Sequence, residues 1–169
     1  MDSAELKSIQ APIKDRYRDQ PETAVVTLRA EGQLGDDVSC SVQTGRALVE
    51  AGLHPATGGD GLLACSGDML LQALAACAGV TMRSVATALG INAAGTVKAE
   101  GDLDFRGTLG VDKSAQVGFS DIRLSFELES DASEEQLAAL LRLTERYCVV
   151  YQTLASAPQL SASWNRVAR

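Results

Sequence analysis

The residues of this chain best suited to chemistry are its four cysteines, Cys40, Cys65, Cys77 and Cys148. None of them forms a CxxC pair or a zinc-knuckle spacing, so they predict neither a metal site nor a disulfide framework. A cysteine outside such frameworks acts as a thiol, and its thiolate is the form that peroxides oxidise. The chain has one histidine, His54, so a metal site made of several histidines is excluded and we expect this residue in a surface loop.

The composition indicates one globular domain with an acidic surface. Of the 169 residues, 46% are hydrophobic and 22% are charged, and the net charge is -7. Nucleic acids are bound by clustered cations, so this balance argues against a nucleic-acid partner and against a basic membrane-surface helix. The longest apolar run, 69–80, is too short to cross a bilayer, and no apolar leader opens the sequence. We therefore expect a cytoplasmic protein with reduced thiols and no membrane partner.

A long helix is predicted over residues 67–89. Ser66 is its expected N-cap, Asp68 lies in the first turn where the helix dipole favours a negative charge, and Gly90 follows its end. The alanines that flank its apolar stripe predict a helix buried on most sides. The stripe consists of Leu70, Leu74, Cys77, Thr81 and Val85.

A second long helix is predicted to begin at Ser133, where Gln136 stands at the capping-box position, and to end before Pro158. Its stripe consists of Leu137, Leu140, Leu141, Thr144, Cys148 and Tyr151. Both long helices therefore carry one cysteine within an apolar stripe.

The remaining segments are predicted to form strands and loops. A clean two-residue alternation of apolar and polar residues over 122–129 indicates a strand with one buried face. Strands are predicted at 24–31, 38–43, 95–105, 116–130 and 160–167, a helical turn at 3–10 that Pro12 ends, and a glycine-rich loop at 53–61. The order of elements predicts an α+β fold, not an alternating βαβ fold.

Two interpretations of Cys77 and Cys148 remain open from the residues alone. If the two apolar stripes pack on each other, the thiols meet, and one oxidised to a sulfenic acid condenses with the other. Alternatively both are small apolar core residues, since free cysteine is among the most buried residue types. Spacing alone favours the structural interpretation.

Three stretches of the sequence resemble the OsmC/Ohr family, the osmotically induced and organic hydroperoxide resistance proteins. They are SGDMLLQALAACAGVTMRSVATALGI, FRGTLGVDKSAQVGFSDIRLSFELES and SEEQLAALLRLTERYCVVYQTL. The resemblance covers 24–167, which leaves 1–23 as an N-terminal extension of a single OsmC-like domain, 1–169. It implies an OsmC-like fold in which antiparallel sheets wrap around two long buried helices of an intertwined homodimer.

The resemblance also implies an activity. Family members are thiol peroxidases that reduce organic hydroperoxides, and by this resemblance Cys77 is the peroxidatic thiol and Cys148 the resolving thiol. The implied partners are an organic hydroperoxide and an external dithiol, such as one of the lipoyl type, with no bound cofactor and no metal.

The sequence departs from the family in the residues that activate the peroxidatic thiol. The family uses an arginine held by the glutamate of an Asn-Pro-Glu motif, where this chain has Cys65, Ser66 and Gly67. Asp68 is the nearest carboxylate, although helix-dipole compensation is its commoner role.

The candidate activating arginines are Arg29 and Arg46, for which a solvated surface charge is the commoner fate. The missing glutamate favours a second function, an OsmC-like dimer that binds a small apolar or acyl ligand without turnover. A purely structural dimer with inert thiols is a third and weaker alternative.

Overall fold

The computed structural model describes residues 2–20, 32–34, 39–44, 47–110 and 112–166. The helices are α1 (Ser3–Asp19), α2 (Ser66–Leu89), α3 (Phe105–Thr108), α4 (Glu134–Tyr147) and α5 (Val149–Ala155). The strands are β1 (Gly32–Leu34), β2 (Ser39–Thr44), β3 (Ala47–Gly52), β4 (Ala64–Cys65), β5 (Ala93–Leu103) and β6 (Phe119–Ser130). This arrangement confirms the predicted α+β fold class.

One sheet has the strand order β1-β2-β3-β4. Strands β1, β2 and β3 pair antiparallel, whereas β3 and the two-residue β4 pair in parallel, so this sheet is mixed and the expectation of purely antiparallel sheets is wrong at its edge. The prediction of a strand at 38–43 is confirmed by β2, and β3 was not predicted. The predicted strand at 24–31 lies outside the described residues.

The second sheet is the antiparallel pair β5 and β6, whose register runs from Ala93 opposite Ser130 to Leu103 opposite Phe119. This confirms the strands predicted at 95–105 and 116–130, with their ends moved by a few residues. The alternation along β6 places every second side chain toward the helices, which is the period that the sequence showed. The turn between the two strands contains the short helix α3.

Helix α2 has close to the predicted length. Its C-terminal end was predicted correctly, and its N-cap was not. Gly90 ends it in the left-handed conformation with φ 70°, as expected for a glycine at that position. The N-cap is Cys65, not Ser66, because Ser66 already has helical geometry and Cys65 keeps an extended backbone. Asp68 lies in the first turn, as predicted, and is exposed.

The buried face of α2 is a stripe of small or flexible residues. It lies beside the apolar stripe that the sequence predicted. Cys77, Thr81 and Val85 are half-buried beside it, and Leu70 is exposed. The fully buried residues are Leu74, Ala78, Met82 and Ala86. Because the side chains of Ala78 and Ala86 are small, neighbouring elements approach α2 closely along this stripe. The stripe therefore faces the core. Within the single chain, α2 is therefore buried along one face, and the expectation of burial on most sides is wrong.

By length and composition α2 is apolar enough to span a membrane. The expectation based on residues 69–80 missed this because the helix continues through Thr81 to Leu89. The same composition is typical of a core helix; here one face of α2 lies in the core, and 22% of the apolar window is buried within the single chain. Its buried stripe packs with Ala93 of β5 and Leu140 of α4 in the hydrophobic core.

The second predicted helix is two helices in the structure. It begins at Ser133 with the predicted capping box to Gln136, but α4 ends at Tyr147 and α5 begins at Val149. Cys148 between them is extended, with φ -74° and ψ 110°. The β-branched pair that follows Cys148 lowers the helix propensity at this point. A single helix up to Pro158 is therefore a wrong prediction, and the interruption falls on the cysteine.

The two ends of the chain also differ from prediction. Helix α1 continues through Pro12 to Asp19, because a proline inside a helix removes one amide donor without ending the helix. The predicted strand at 160–167 is wrong for its described residues, since 157–166 have no regular structure. A strand needs a neighbouring strand for its hydrogen bonds, and none of the described strands pairs with this segment.

We expect Leu140→Ala to lower the free energy of unfolding by about 2–5 kcal/mol, because it removes a fully buried side chain from the core. Leu62→Ala makes the same change at a position that is 84% exposed and is expected to cost less than about 0.5 kcal/mol. Urea denaturation followed by circular dichroism measures both. Equal losses would contradict the position of Leu140 in the core.

Candidate active site

The structure brings the two helical cysteines together. Cys77 is half-buried near the middle of α2, and Cys148 is fully buried at the junction of α4 and α5. Helix α2 packs against both of those helices, and each thiol lies close enough to shift the pKa of the other. Both residues are free thiols. The contact predicted from the two apolar stripes is present, although Cys148 lies at a helix break and not within a helix.

The environment of Cys77 favours its thiolate. Partial burial raises the pKa of Cys77, but hydrogen bonds to the sulfur outweigh this effect, and the pKa lies below the ordinary value for a cysteine. In order of size, the groups that lower it are the backbone of Val150, the Cys148 thiol, the backbone of Val149 and the Thr81 side chain.

Cys148 has the opposite character. Burial raises the pKa of its thiol, and the neighbouring Cys77 raises it further, while the backbone amides of Tyr151 and Val150 oppose these effects. The two shifts run in opposite directions, so Cys77 loses its proton more readily than Cys148 does.

The break at Cys148 explains why backbone amides reach the Cys77 sulfur. The first amides of a helix have no acceptor within that helix, and a new helix begins at Val149. The amides of Val149 and Val150 are thereby available to Cys77, and the Tyr151 amide donates to the Cys148 Sγ at 3.5 Å. In an uninterrupted helix all three would bond to carbonyls four residues earlier.

The hydrogen bonds around the break compensate for the interruption. The Cys148 amide still donates to the Thr144 carbonyl at 2.9 Å, and the Cys148 carbonyl accepts from the Gln152 amide at 2.9 Å. The Glu145 carbonyl accepts from the Gln152 side chain at 2.8 Å, which replaces a backbone donor. Cys148 therefore ends one helix and begins the next at little cost in hydrogen bonding.

The proposed activating side chains are not part of this arrangement in the described structure. Asp68 is exposed and lies nine residues before Cys77 on the same helix, about 13 Å along the axis. It forms no ion pair with any arginine or lysine of the described residues. Arg29 and Arg46 lie outside the described residues. Within the described part, neutral hydrogen-bond donors are what stabilise the thiolate.

The other candidate residues lie away from this pair. Cys65 caps the start of α2, about 18 Å along the helix from Cys77, and Cys40 lies on β2. The His54 Nδ1 accepts from the Ala56 amide at 3.0 Å, and its ring stacks on a phenylalanine of α3, as expected of a loop residue. Among the described residues, no group of three or more His, Cys, Asp or Glu is suited to a metal ion.

A largely apolar groove with a volume of about 840 Å³ lies between β6 and the helices, and neither Cys77 nor Cys148 lines it. Strand β6 forms one wall, and α2, α4 and α5 form the other. Residues that line it include Leu74, Met82, Phe126, Leu137, Leu141 and Tyr151. Tyr151 follows Cys148 by three residues and connects the groove to the cysteine site. The groove is large enough for an apolar ligand of moderate size.

Sequence reasoning did not find the donors to Cys77. Backbone amides have no side-chain signature, so Val149 and Val150 could be found only by predicting where the helix breaks. The β-branched pair directly after Cys148 was the available signal. Thr81 stood in the predicted stripe of α2 and was interpreted there as a packing residue.

The profile of the OsmC-like protein family matches residues 59–163, which is more than half of the chain. This chain belongs to the OsmC-like family. The match contains α2, β5, β6, α4 and α5, and thus both cysteines of the site. It confirms the family that the sequence resembled. No curated protein sequence is similar enough to match the chain.

Solved structures with the same fold include an OsmC-like protein from Mycoplasma pneumoniae, with a TM-score of 0.65 and 20% identity over 78% of this chain and 89% of that one. An organic hydroperoxide resistance protein OsmC from Legionella pneumophila has a TM-score of 0.58 and 16% identity, covering 78% and 91%. One from Elizabethkingia anophelis has a TM-score of 0.56 and 15% identity, covering 79% and 91%. At this identity the likeness establishes the OsmC-like fold.

We expect Cys148→Ala to raise the pKa of the Cys77 thiol, because it removes one of the groups that lower this pKa. The rate of alkylation at Cys77, read by peptide mass spectrometry across a pH series, measures this shift. Cys148→Ser keeps a donor and serves as the matched control. An unchanged profile in Cys148→Ala would contradict the role of the Cys148 thiol as a donor.

Proposed function

We propose that this OsmC-like protein is a cysteine-based thiol peroxidase that reduces organic hydroperoxides to alcohols. The observation that carries the proposal is the asymmetry of the cysteine pair: the pKa of Cys77 is lowered, the pKa of Cys148 is raised, and each thiol contributes to the shift of the other. A nucleophile must be a thiolate, whereas a resolving thiol acts after the first oxidation. Family membership and structural neighbours named organic hydroperoxide resistance proteins support the same role.

The reaction balances in three steps. The Cys77 thiolate attacks a peroxide oxygen, the O–O bond breaks, and the leaving alkoxide takes a proton from water, which yields an alcohol and a Cys77 sulfenic acid. The Cys148 thiol then attacks the sulfenic sulfur and expels water, forming a Cys77–Cys148 disulfide. An external dithiol reduces this disulfide and is itself oxidised to a cyclic disulfide.

The reductant belongs to the proposal. A dithiol, such as a lipoyl group, closes its own disulfide after the first exchange and so completes the reduction without a second molecule. The chemistry requires no bound cofactor or metal, since both electrons come from the two thiols. Free thiols persist in a reducing compartment, so we propose that the protein acts in the cytoplasm.

The second candidate function is an OsmC-like dimer that binds a small apolar or acyl ligand without turnover. The largely apolar groove that Tyr151 lines supports it, because such a groove suits an acyl chain with or without a peroxide group. The absence of the family's glutamate, with Gly67 in its position, also supports it. The two functions differ in whether Cys77 is oxidised when a hydroperoxide is supplied.

We also propose that the working form is a homodimer. Among the described residues of the single chain, five large apolar side chains are more than 70% exposed: Leu62, Val80, Val117, Leu160 and Trp164. Helix α2 is buried along one face only, and Val80 lies on its exposed side. A second copy would remove these apolar surfaces from water.

Cys77→Ser is expected to abolish consumption of cumene hydroperoxide in the presence of a dithiol, because a hydroxyl cannot replace the thiolate. Cys148→Ser is expected to allow one oxidation of Cys77 and to prevent the disulfide. Cys65→Ser is the matched control and should keep wild-type activity, since Cys65 lies far from the pair. Ferrous-xylenol-orange detection of residual peroxide measures all three.

Intact mass and a disulfide map of wild-type protein after one equivalent of cumene hydroperoxide complete this test. Loss of two hydrogens with a Cys77–Cys148 cross-link is the expected result. Unchanged turnover in Cys77→Ser would overturn the assignment of Cys77. No oxidation, or slow oxidation spread over Cys40 and Cys65, would favour the ligand-binding function.

Light scattering at micromolar concentration is expected to give about twice the 17.7 kDa mass of one chain. Val80→Arg is expected to shift the mass toward that of one chain, because it places a charge on the exposed apolar side of α2. Wild-type protein at the same concentration is the reference. A single-chain mass for wild type would contradict the proposed dimer.

A further inference from the structure

A second cavity lies between α2 and the β5–β6 sheet, and neither cysteine of the candidate active site lines it. Its volume is about 490 Å³, which falls within the range of roughly 300–1,000 Å³ that is typical of small-molecule sites. Arg83 is the one charged residue among the described residues that line it, so we call it the Arg83 cavity. Its lining includes Gly79, Arg83, Ala86, Ala93, Gly95 and Phe126.

The space beside the start of β5 is fixed by the backbone. Gly95 has φ 138°, a conformation that residues with a side chain rarely adopt. A Cβ added there would lie 1.9 Å from the carbonyl oxygen of Glu127 on β6, so no side chain can fill the cavity from this position. Ala86 and Ala93, both buried, carry only a methyl group each. The cavity therefore follows from small residues on the helix and on the strand.

Arg83 brings a positive charge to this mostly apolar space. Its Nη1 donates to the Ala93 carbonyl, which holds the side chain between α2 and the start of β5. A guanidinium has five N–H donors, so the Nε and Nη2 edge is available to another acceptor. Among the residues that the structure describes, no carboxylate forms an ion pair with Arg83. Arg83 is also exposed, so a ligand can reach it from solvent.

The distribution of charge favours an anionic ligand in this cavity and disfavours one in the larger groove between β6 and the helices. The chain has 22 Asp and Glu residues, yet none of those described lines the Arg83 cavity. The larger groove is lined by Asp121 and Glu145, and by no lysine or arginine of the described part. A carboxylate is repelled by like charge in that groove and attracted by Arg83 here.

We propose that the Arg83 cavity binds a monocarboxylate with an apolar chain. The free edge of the Arg83 guanidinium matches the two oxygens of a carboxylate, which is the geometry of a bidentate pair. The chain would lie between α2 and the sheet, against Met82, Phe126 and Leu128, where it is removed from water. No sulfur chemistry enters this binding, so the site is independent of the proposed peroxidase function.

Octanoate is the probe, and a titration followed by two-dimensional amide NMR spectra gives both the affinity and the place of binding. We expect saturable shifts at the amides of Gly79, Ala93 and Gly95, which line the Arg83 cavity. The amides of Leu141 and Tyr151, which line the larger groove, are expected to remain in place. Acetate, which lacks the chain, is expected to bind far more weakly.

Arg83→Met removes the charge and keeps an unbranched apolar side chain. It is expected to weaken octanoate binding about tenfold or more, because a hydrogen-bonded charge pair is lost. Binding of 1-octanol, which has the chain without the charge, is expected to stay the same. Arg83→Lys keeps the charge and should lose less affinity for octanoate than Arg83→Met does.

Arg142→Met is the matched control, since Arg142 is an exposed arginine of α4 that does not line the cavity. It is expected to bind octanoate like wild type. Absence of octanoate binding, or shifts confined to the larger groove, would overturn the proposal. Equal losses of octanoate and 1-octanol binding in Arg83→Met would also overturn it, because Arg83 would then maintain the shape of the cavity without recognising the carboxylate.

Discussion

The proposed peroxidase site depends on one constraint, which is that a half-buried sulfur must carry a negative charge. Taking an ion out of water is costly unless hydrogen-bond donors replace the solvent. Around Cys77 the donors come from two helices, with amides and a thiol from the α4–α5 junction and a hydroxyl from α2. This arrangement requires α2 to pack closely against α4 and α5, which its alanine-rich buried stripe permits. The helix break, the packing of the core and the reactivity of the thiol are thus parts of one arrangement.

The same arrangement explains why the two cysteines differ although they are neighbours. Cys148 is fully buried and has the Tyr151 amide as a donor, whereas Cys77 is less buried and has several donors. The difference in solvation and hydrogen bonding favours charge on Cys77 and a proton on Cys148. A symmetric pair would share its charge. In the proposed reaction, the order of oxidation would follow from this difference between the two residues.

The sequence predicted what depends on side-chain pattern and missed what depends on the backbone and on partners. The stripes of α2 and α4, the capping box at Ser133 and the alternation of β6 led to the correct helices, the correct strand pair and the meeting of Cys77 with Cys148. The break at Cys148 was missed because the apolar period continues across it. The strand predicted at 160–167 was missed because a strand needs a neighbour, and alternation alone does not provide one. The activating donors were missed because backbone amides are common to every residue.

Because the donors at the α4–α5 junction belong to the main chain, they affect which amino-acid substitutions this site tolerates during evolution. An arginine or glutamate is lost by a single substitution, but a backbone amide remains whatever side chain replaces Val149 or Val150, except proline. What the sequence must preserve is the interruption of the helix, which many residue combinations can produce. Two homologues could therefore share this means of activation without sharing any residue at these positions.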